Sequence, residues 1–198
     1  MRNHVPMHIR AATAADAPAV RDIYAPIVKS SAISFEVDVP SVSEMAARIV
    51  DRQPAYPWLV AEDGGSIIGY ACAGRFAPRA AYGWSVETSI YVSEKARGRG
   101  AGKTLYTALF EILKLQGYKR AMAGITLPNA PSVSLHEGFG FSLVGVYRAV
   151  GWKLESWHDV GWWQKGLSAP TDAPQATVPF TELPEAAVHA ALANTARR

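Results

Sequence analysis

The stretch that most constrains this chain is YVSEKARGRGAGKTLY, Tyr91 to Tyr106. The run TSIYVS that enters it is β-branched, aromatic and alternating, while Leu105, Ala108, Leu109, Ile112 and Leu113 follow at helical spacing. The glycines therefore join the end of a strand to the start of a helix. Glycine at such a junction lets the backbone approach a ligand closely, and the N–H groups of the first helical turn point outward at an anion. Arg97, Arg99 and Lys103 add positive charge to the same spot. The segment reads as a phosphate cradle, with a solvated basic turn as the plainer alternative.

Counting decides which phosphate it is not. A nucleotide triphosphate loop needs a glycine five places before the glycine of Gly-Lys-Thr. That place is held by Arg97, and Gly98 comes one residue late. The strand-like RAMAGITLPN contains no acid to hold magnesium. A dinucleotide fingerprint needs a third glycine where Lys103 stands.

At 198 residues the chain has room for one domain with a sizeable core. Its net charge of +3 is too mild to argue for nucleic acid, and suits a small anionic ligand instead. Cys72 is the single cysteine and lies within the apolar run IIGYACAG, so neither a disulfide nor a cysteine metal cluster is expected. The histidines show no ligand spacing, and no metal is expected. No apolar stretch reaches membrane-spanning length, and MRNHVPMHIR lacks a signal-peptide core. The expectation is a cytoplasmic protein that binds neither nucleic acid nor membrane.

Along the chain, HIRAAT reads as a strand, and Thr13 with Asp16 resembles a capping box before the helix APAVRDIYAPIV. AISFEVDV reads as a short extended piece, and Ser41 with Glu44 caps a helix through MAARIVDRQ. PWLVAED and SIIGYACAGRF flank Gly64-Gly65 as a hairpin, and SVETSIYVS leads into the glycine loop. Gly117 stops the loop's helix, RAMAGIT is a strand, and a short helix spans Pro131 to Glu137. The aromatic-rich segment from Ser142 to Leu167 closes the domain in a hairpin-like arrangement around Gly151. The fold class is α/β (α+β): a mixed central sheet with helices on both faces, over residues 1–167. From Ser168 onward an Ala/Pro-rich composition predicts a flexible extension to residue 198, with LPEAAVHAALAN able to form a short amphipathic helix.

Two motifs carry a resemblance. Arg97-x-x-Gly100-x-Gly102 resembles the acetyl-CoA pyrophosphate loop of the GNAT N-acetyltransferases. NAPSVSLHEGFGF, Asn129 to Phe141, resembles that family's next element, with Ser132 at its alanine position and His136 at its tyrosine position. The segments AYGWSVETSIYVS, LPNAPSVSLHEGFGF and WHDVGWWQ are similar to phosphinothricin and methionine sulfoximine N-acetyltransferases. This resemblance implies the GNAT fold, acetyl-CoA as co-substrate and a homodimer. It implies that Ile90, Tyr91, Val92, Arg97, Gly98, Arg99, Gly100, Ala101, Gly102, Lys103 and Asn129 bind acetyl-CoA. Asn129 as a helix cap is the alternative.

For catalysis the resemblance implies Glu87 as the general base, on the face of its strand shared with Ser89 and Tyr91. The bland alternative is a solvated or arginine-paired glutamate. His136 is expected to protonate the leaving thiolate or to assist Glu87, with a packing role as the alternative. The small amino-acid-like substrate is expected to meet Arg79, Tyr82, Trp84, Glu87, Thr88 and Ser89, with Arg75 as a second cationic candidate. WHDVGWW is read as core or dimer contact. Transfer to another amine, such as a protein terminus or polyamine, and a non-catalytic coenzyme A sensor remain the competing readings.

Overall fold

The computed structural model describes residues 7–169 and 173–193. Seven strands form one sheet: β1 (His8–Ala11), β2 (Trp58–Asp63), β3 (Ser66–Arg75), β4 (Ser85–Val92), β5 (Arg120–Leu127), β6 (Ser142–Lys153) and β7 (Ser156–Gly166). Their order is β1-β2-β3-β4-β5-β7-β6; the β4–β5 pair is parallel and the other neighbours are antiparallel. Two helices, α1 (Ala17–Ser30) and α2 (Val42–Arg52), cover one face. The other face carries α3 (Ala101–Leu115), α4 (Ala130–Gly138) and α5 (Glu185–Ala193).

Strand alternation builds these two layers. Leu59, Ala61, Ala71, Ala73 and Val86 pack beneath α3, whereas Trp58, Val60, Tyr70 and Cys72 pack beneath α1 and α2. A period of two sends successive side chains into opposite cores, which is why the central strands read as nearly continuous apolar runs. The β2–β3 turn falls at Gly64 and Gly65, whose φ values of +58° and +76° glycine adopts without strain. Helix α2 begins at a reciprocal box: Glu44 N donates to Ser41 Oγ at 3.2 Å and Ser41 N to Glu44 Oε2 at 2.7 Å.

Three readings of the sequence are corrected. AISFEVDV is a bent loop rather than an extended piece. Its polar groups are held by helices instead of a ladder: Tyr24 Oη lies 2.5 Å from Ser34 Oγ and donates to Glu36 at 3.0 Å. The β6–β7 turn falls at Leu154 and Glu155, both at positive φ, and not at Gly151. Gly151 is needed for a close approach, since a Cβ there would sit 2.1 Å from the Phe35 ring.

The third correction concerns the extension, whose described part is docked. Trp84 Nε1 donates to Gln175 O at 2.7 Å, and Gln116 Nε2 donates to Val178 O at 2.8 Å. Phe180, Leu183, Val188 and Leu192 pack against the α3 core, and Ala191 is buried within it. Composition registers the prolines but not the spacing of these apolar residues, which lets a segment with few helical turns follow the core surface.

Candidate active site

The site begins where β4 and β5 part. They pair only at Ser85↔Arg120, Val86↔Ala121 and Glu87↔Met122. Beyond Glu87, β4 stays with β3 as far as Val92, and β5 stays with β7 to Leu127. Thr88 Oγ1 donates to Met122 O at 3.3 Å and holds the crotch of the fork. A narrow wedge of about 50 Å³ opens above it, bounded by Ser89, Ile90, Tyr106, Gly124, Asn129 and His136. The wedge shares Ile90, Tyr91 and Asn129 with a larger cleft of about 420 Å³ that reaches the glycine loop. The β4 edge along this fork lacks a strand partner, so its backbone groups are available to a ligand.

The glycine loop forms the far end of that cleft. Gly98 and Gly100 sit at φ +74° and +85°, a region that disfavours any side chain. Helix α3 starts with no side-chain cap, and its first bond runs from Thr104 N to Gly100 O at 3.0 Å. The N–H groups of Ala101, Gly102 and Lys103 therefore precede any intrahelical acceptor and face outward at the positive end of the helix dipole. These uncapped donors fit a pyrophosphate. Val92, Arg97 and Ala101 also line the cleft. Arg99 turns away to an ion pair with Asp63, and the exposed Lys103 is not on the wall. Asn129 Oδ1 accepts from Ser132 N at 3.3 Å, capping α4, and the residue also lines the cleft.

On the α1–α2 side of the sheet, Glu87 and Ser89 face a cavity of about 610 Å³ shared with Arg48, Arg52, Gly74 and Arg75. Burial pushes the Glu87 carboxyl above its ordinary range, and the Arg52 charge partly pulls it back. A glutamate shifted in this direction accepts a proton more strongly than a surface carboxylate. It makes no ion pair among the described residues.

The other expected substrate residues are not gathered here. Arg79 is exposed and precedes a short 3₁₀ turn, Ala80–Tyr82; Tyr82 lies against Phe76 at 5.7 Å; Trp84 holds the C-terminal segment. Thr88 is buried toward α3. The cavity's guanidiniums come instead from the last two turns of α2 and the end of β3. Arg48 and Arg52 stand four residues apart and so share a helix face, a spacing visible in the sequence. What the spacing withheld was that this face lands over Glu87.

His136 is buried, and both of its nitrogens are occupied. Nδ1 lies 2.7 Å from the Ser132 carbonyl, which can only accept, so Nδ1 carries the proton. Burial lowers the imidazole pKa, leaving the ring neutral, and Nε2 then accepts from Tyr106 Oη at 2.9 Å. In this tautomer His136 has no proton to offer toward the wedge; it accepts the one proton of the Tyr106 hydroxyl. In the sequence Tyr106 only ends the glycine-loop stretch, with no role assigned to it. Burial raises its pKa, so the hydroxyl keeps its proton.

Comparison with known proteins agrees with this architecture. Residues 9–162 match the acetyltransferase (GNAT) domain model. A phosphinothricin N-acetyltransferase of Streptomyces viridochromogenes is 42% identical over 90% of this chain and 97% of its own. An L-methionine sulfoximine/L-methionine sulfone acetyltransferase of Pseudomonas paraeruginosa is 36% identical over 84% of this chain and 98% of its own. The crystal structure of a phosphinothricin acetyltransferase from Sinorhizobium meliloti with acetyl-CoA superposes with a TM-score of 0.80 at 35% identity, covering 88% of this chain and 98% of that one. The forked sheet and the uncapped helix behind its glycine loop are thus those of an acetyltransferase, and this chain belongs to the GNAT family.

Proposed function

We propose that this enzyme transfers acetyl from acetyl-CoA directly to the α-amino group of a small amino acid or analogue, such as phosphinothricin or methionine sulfoximine. The observation that carries the reading is Glu87: a proton-avid carboxylate at the mouth of the β4–β5 fork, in a cavity lined by arginines. The substrate amine is protonated at neutral pH and must lose that proton before it attacks a thioester. Glu87 receives it. The unpaired β4 edge near Tyr91 and Val92 supplies a backbone N–H to the oxyanion. Arg97 and the N–H groups of Ala101 and Gly102 hold the pyrophosphate. Direct transfer is favoured because Cys72 is buried, with its thiol pKa pushed up by that burial, and so is a poor nucleophile for a covalent relay.

Tyr106 lies on the wall of the wedge with its one hydroxyl proton given to His136 Nε2. A thiol ionises near pH 8.5, so coenzyme A can leave as the thiolate, and Tyr106 has no free proton to give it. Tyr106→Phe is therefore expected to lower kcat by less than about threefold. A loss beyond a hundredfold in single-turnover kinetics would show an obligatory acid instead.

A cytoplasmic location accompanies this reading, because the co-substrate is made there, and resistance to a phosphinic herbicide would follow from turnover of phosphinothricin. A homodimer is part of the proposal. The β6–β7 hairpin exposes Tyr147, Trp152 and Trp157, an apolar surface suited to a second copy. The cavity sets three arginines against Asp51 and Glu87, a balance that favours a substrate carrying both charges over a polycation.

The test is thiol release from acetyl-CoA with L-phosphinothricin, L-methionine sulfoximine and spermidine in parallel, alongside light scattering of the same protein. Turnover on the amino acids and a mass twice the 21.3 kDa chain are expected. Turnover on spermidine alone, or on no amine, would overturn the substrate reading; a mass of one chain would overturn the dimer.

A further inference from the structure

The three arginines around Glu87 are not equivalent. Arg48 forks onto the Glu36 carboxylate at 2.7 and 3.0 Å and is neutralised there. Arg75 donates to the carbonyls of Ala77 and Pro78 and fixes the loop after β3. Arg52 makes no ion pair among the described residues. Its Nη1 reaches only the Cys72 Sγ, a weak acceptor, at 3.6 Å, and its guanidinium lies over the Trp58 ring at 5.4 Å. That ring steadies the planar group without cancelling its charge. Across the cavity Gly74 leaves the guanidinium uncovered, since a Cβ there would stand 3.6 Å from Nη1.

An α-amino acid presents an ammonium and a carboxylate on one carbon. A site that takes the ammonium's proton at Glu87 needs a cation a short distance away for the carboxylate, and a planar guanidinium can meet both of its oxygens. We infer that Arg52 binds the α-carboxylate of the substrate and so makes this cavity select amino acids over simple amines. The inference rests on the proposed use of the Glu87 cavity by an α-amino acid, and adds the residue that recognises it. Arg52 stands at the exposed end of α2, so its replacement leaves the core intact.

The experiment compares L-methionine sulfoximine with the amine that lacks only its carboxylate, using wild type, Arg52→Gln and Arg52→Lys. Arg52→Gln is expected to raise KM for the amino acid roughly 30-fold, with kcat changed less than about threefold. The KM of the decarboxylated amine should stay where it is, because that compound never used the guanidinium. Arg52→Lys should recover part of the loss, since it restores charge without the planar fork. If both KM values move together, or neither moves, while wild type acetylates the amino acid normally, the Arg52 assignment falls and the acetyltransferase reading stands. If wild type prefers the decarboxylated amine, the amino-acid reading and the Arg52 assignment fall together.

Discussion

Glu87→Gln is expected to reduce kcat/KM by about 10²–10⁴-fold while leaving the protein at least as stable as wild type. The two halves of this expectation share one cause. Burial raises the Glu87 pKa above its ordinary 4.5, which makes the carboxylate a stronger base and also makes its charge unfavourable in the folded state. The sign with pH follows. Below pH 4.5 the group is protonated both folded and unfolded and costs nothing; as pH rises from there through the raised folded value, ionisation destabilises the wild type relative to the glutamine variant. Activity runs the other way, falling as pH drops through that same raised value, because only the ionised group can accept the amine's proton. The acid limb of the kcat/KM profile should vanish in whatever activity the variant keeps. Retention of more than about a tenth of wild-type activity would move the base elsewhere, since general-base removal costs far more than that.

Ending the chain at Leu167 should cost at least about 3 kcal/mol of stability, through loss of the apolar contacts of Phe180, Leu183, Val188 and Leu192 with the α3 core. For a chain of this size that corresponds to a fall in Tm of roughly 6–12 °C. The same segment straps the loop between α2 and β2. Phe180 N donates to Ala55 O at 3.3 Å, while Gln116 Nε2 bridges Ala55 O and Val178 O, each at 2.8 Å. Ala55 and Tyr56 line the Glu87 cavity, so shortening the chain should raise KM for the amine more than KM for acetyl-CoA, whose cleft lies elsewhere on the fork. An unchanged Tm by calorimetry would mean that the extension lies on the surface without stabilising it. Equal changes in both KM values would argue against a strap specific to the substrate side.

How far the site could be read in advance depends on how local each part is. Gly98, Gly100 and the first turn of α3 are consecutive in the chain, and their conformations follow from residue type, so the strand–glycine–helix junction was legible. The face Glu87 occupies was legible too, because alternation along one strand places it with Ser89. Arg99 was misplaced for the opposite reason: its charge is nearby in sequence, but Asp63 on the β2–β3 turn claims it. His136 looked like an acid until Ser132 O and Tyr106 Oη were found on its two nitrogens.

By itself the sequence determined the strand–glycine–helix unit, the alternating core strands and the family, because each is set by neighbouring residues and their periodicity. Tertiary structure alone decided that β4 and β5 separate after Glu87, that α2 lays Arg52 over Glu87, and that the C-terminal segment docks. Those outcomes depend on which distant surfaces bury one another, and no local spacing encodes that choice.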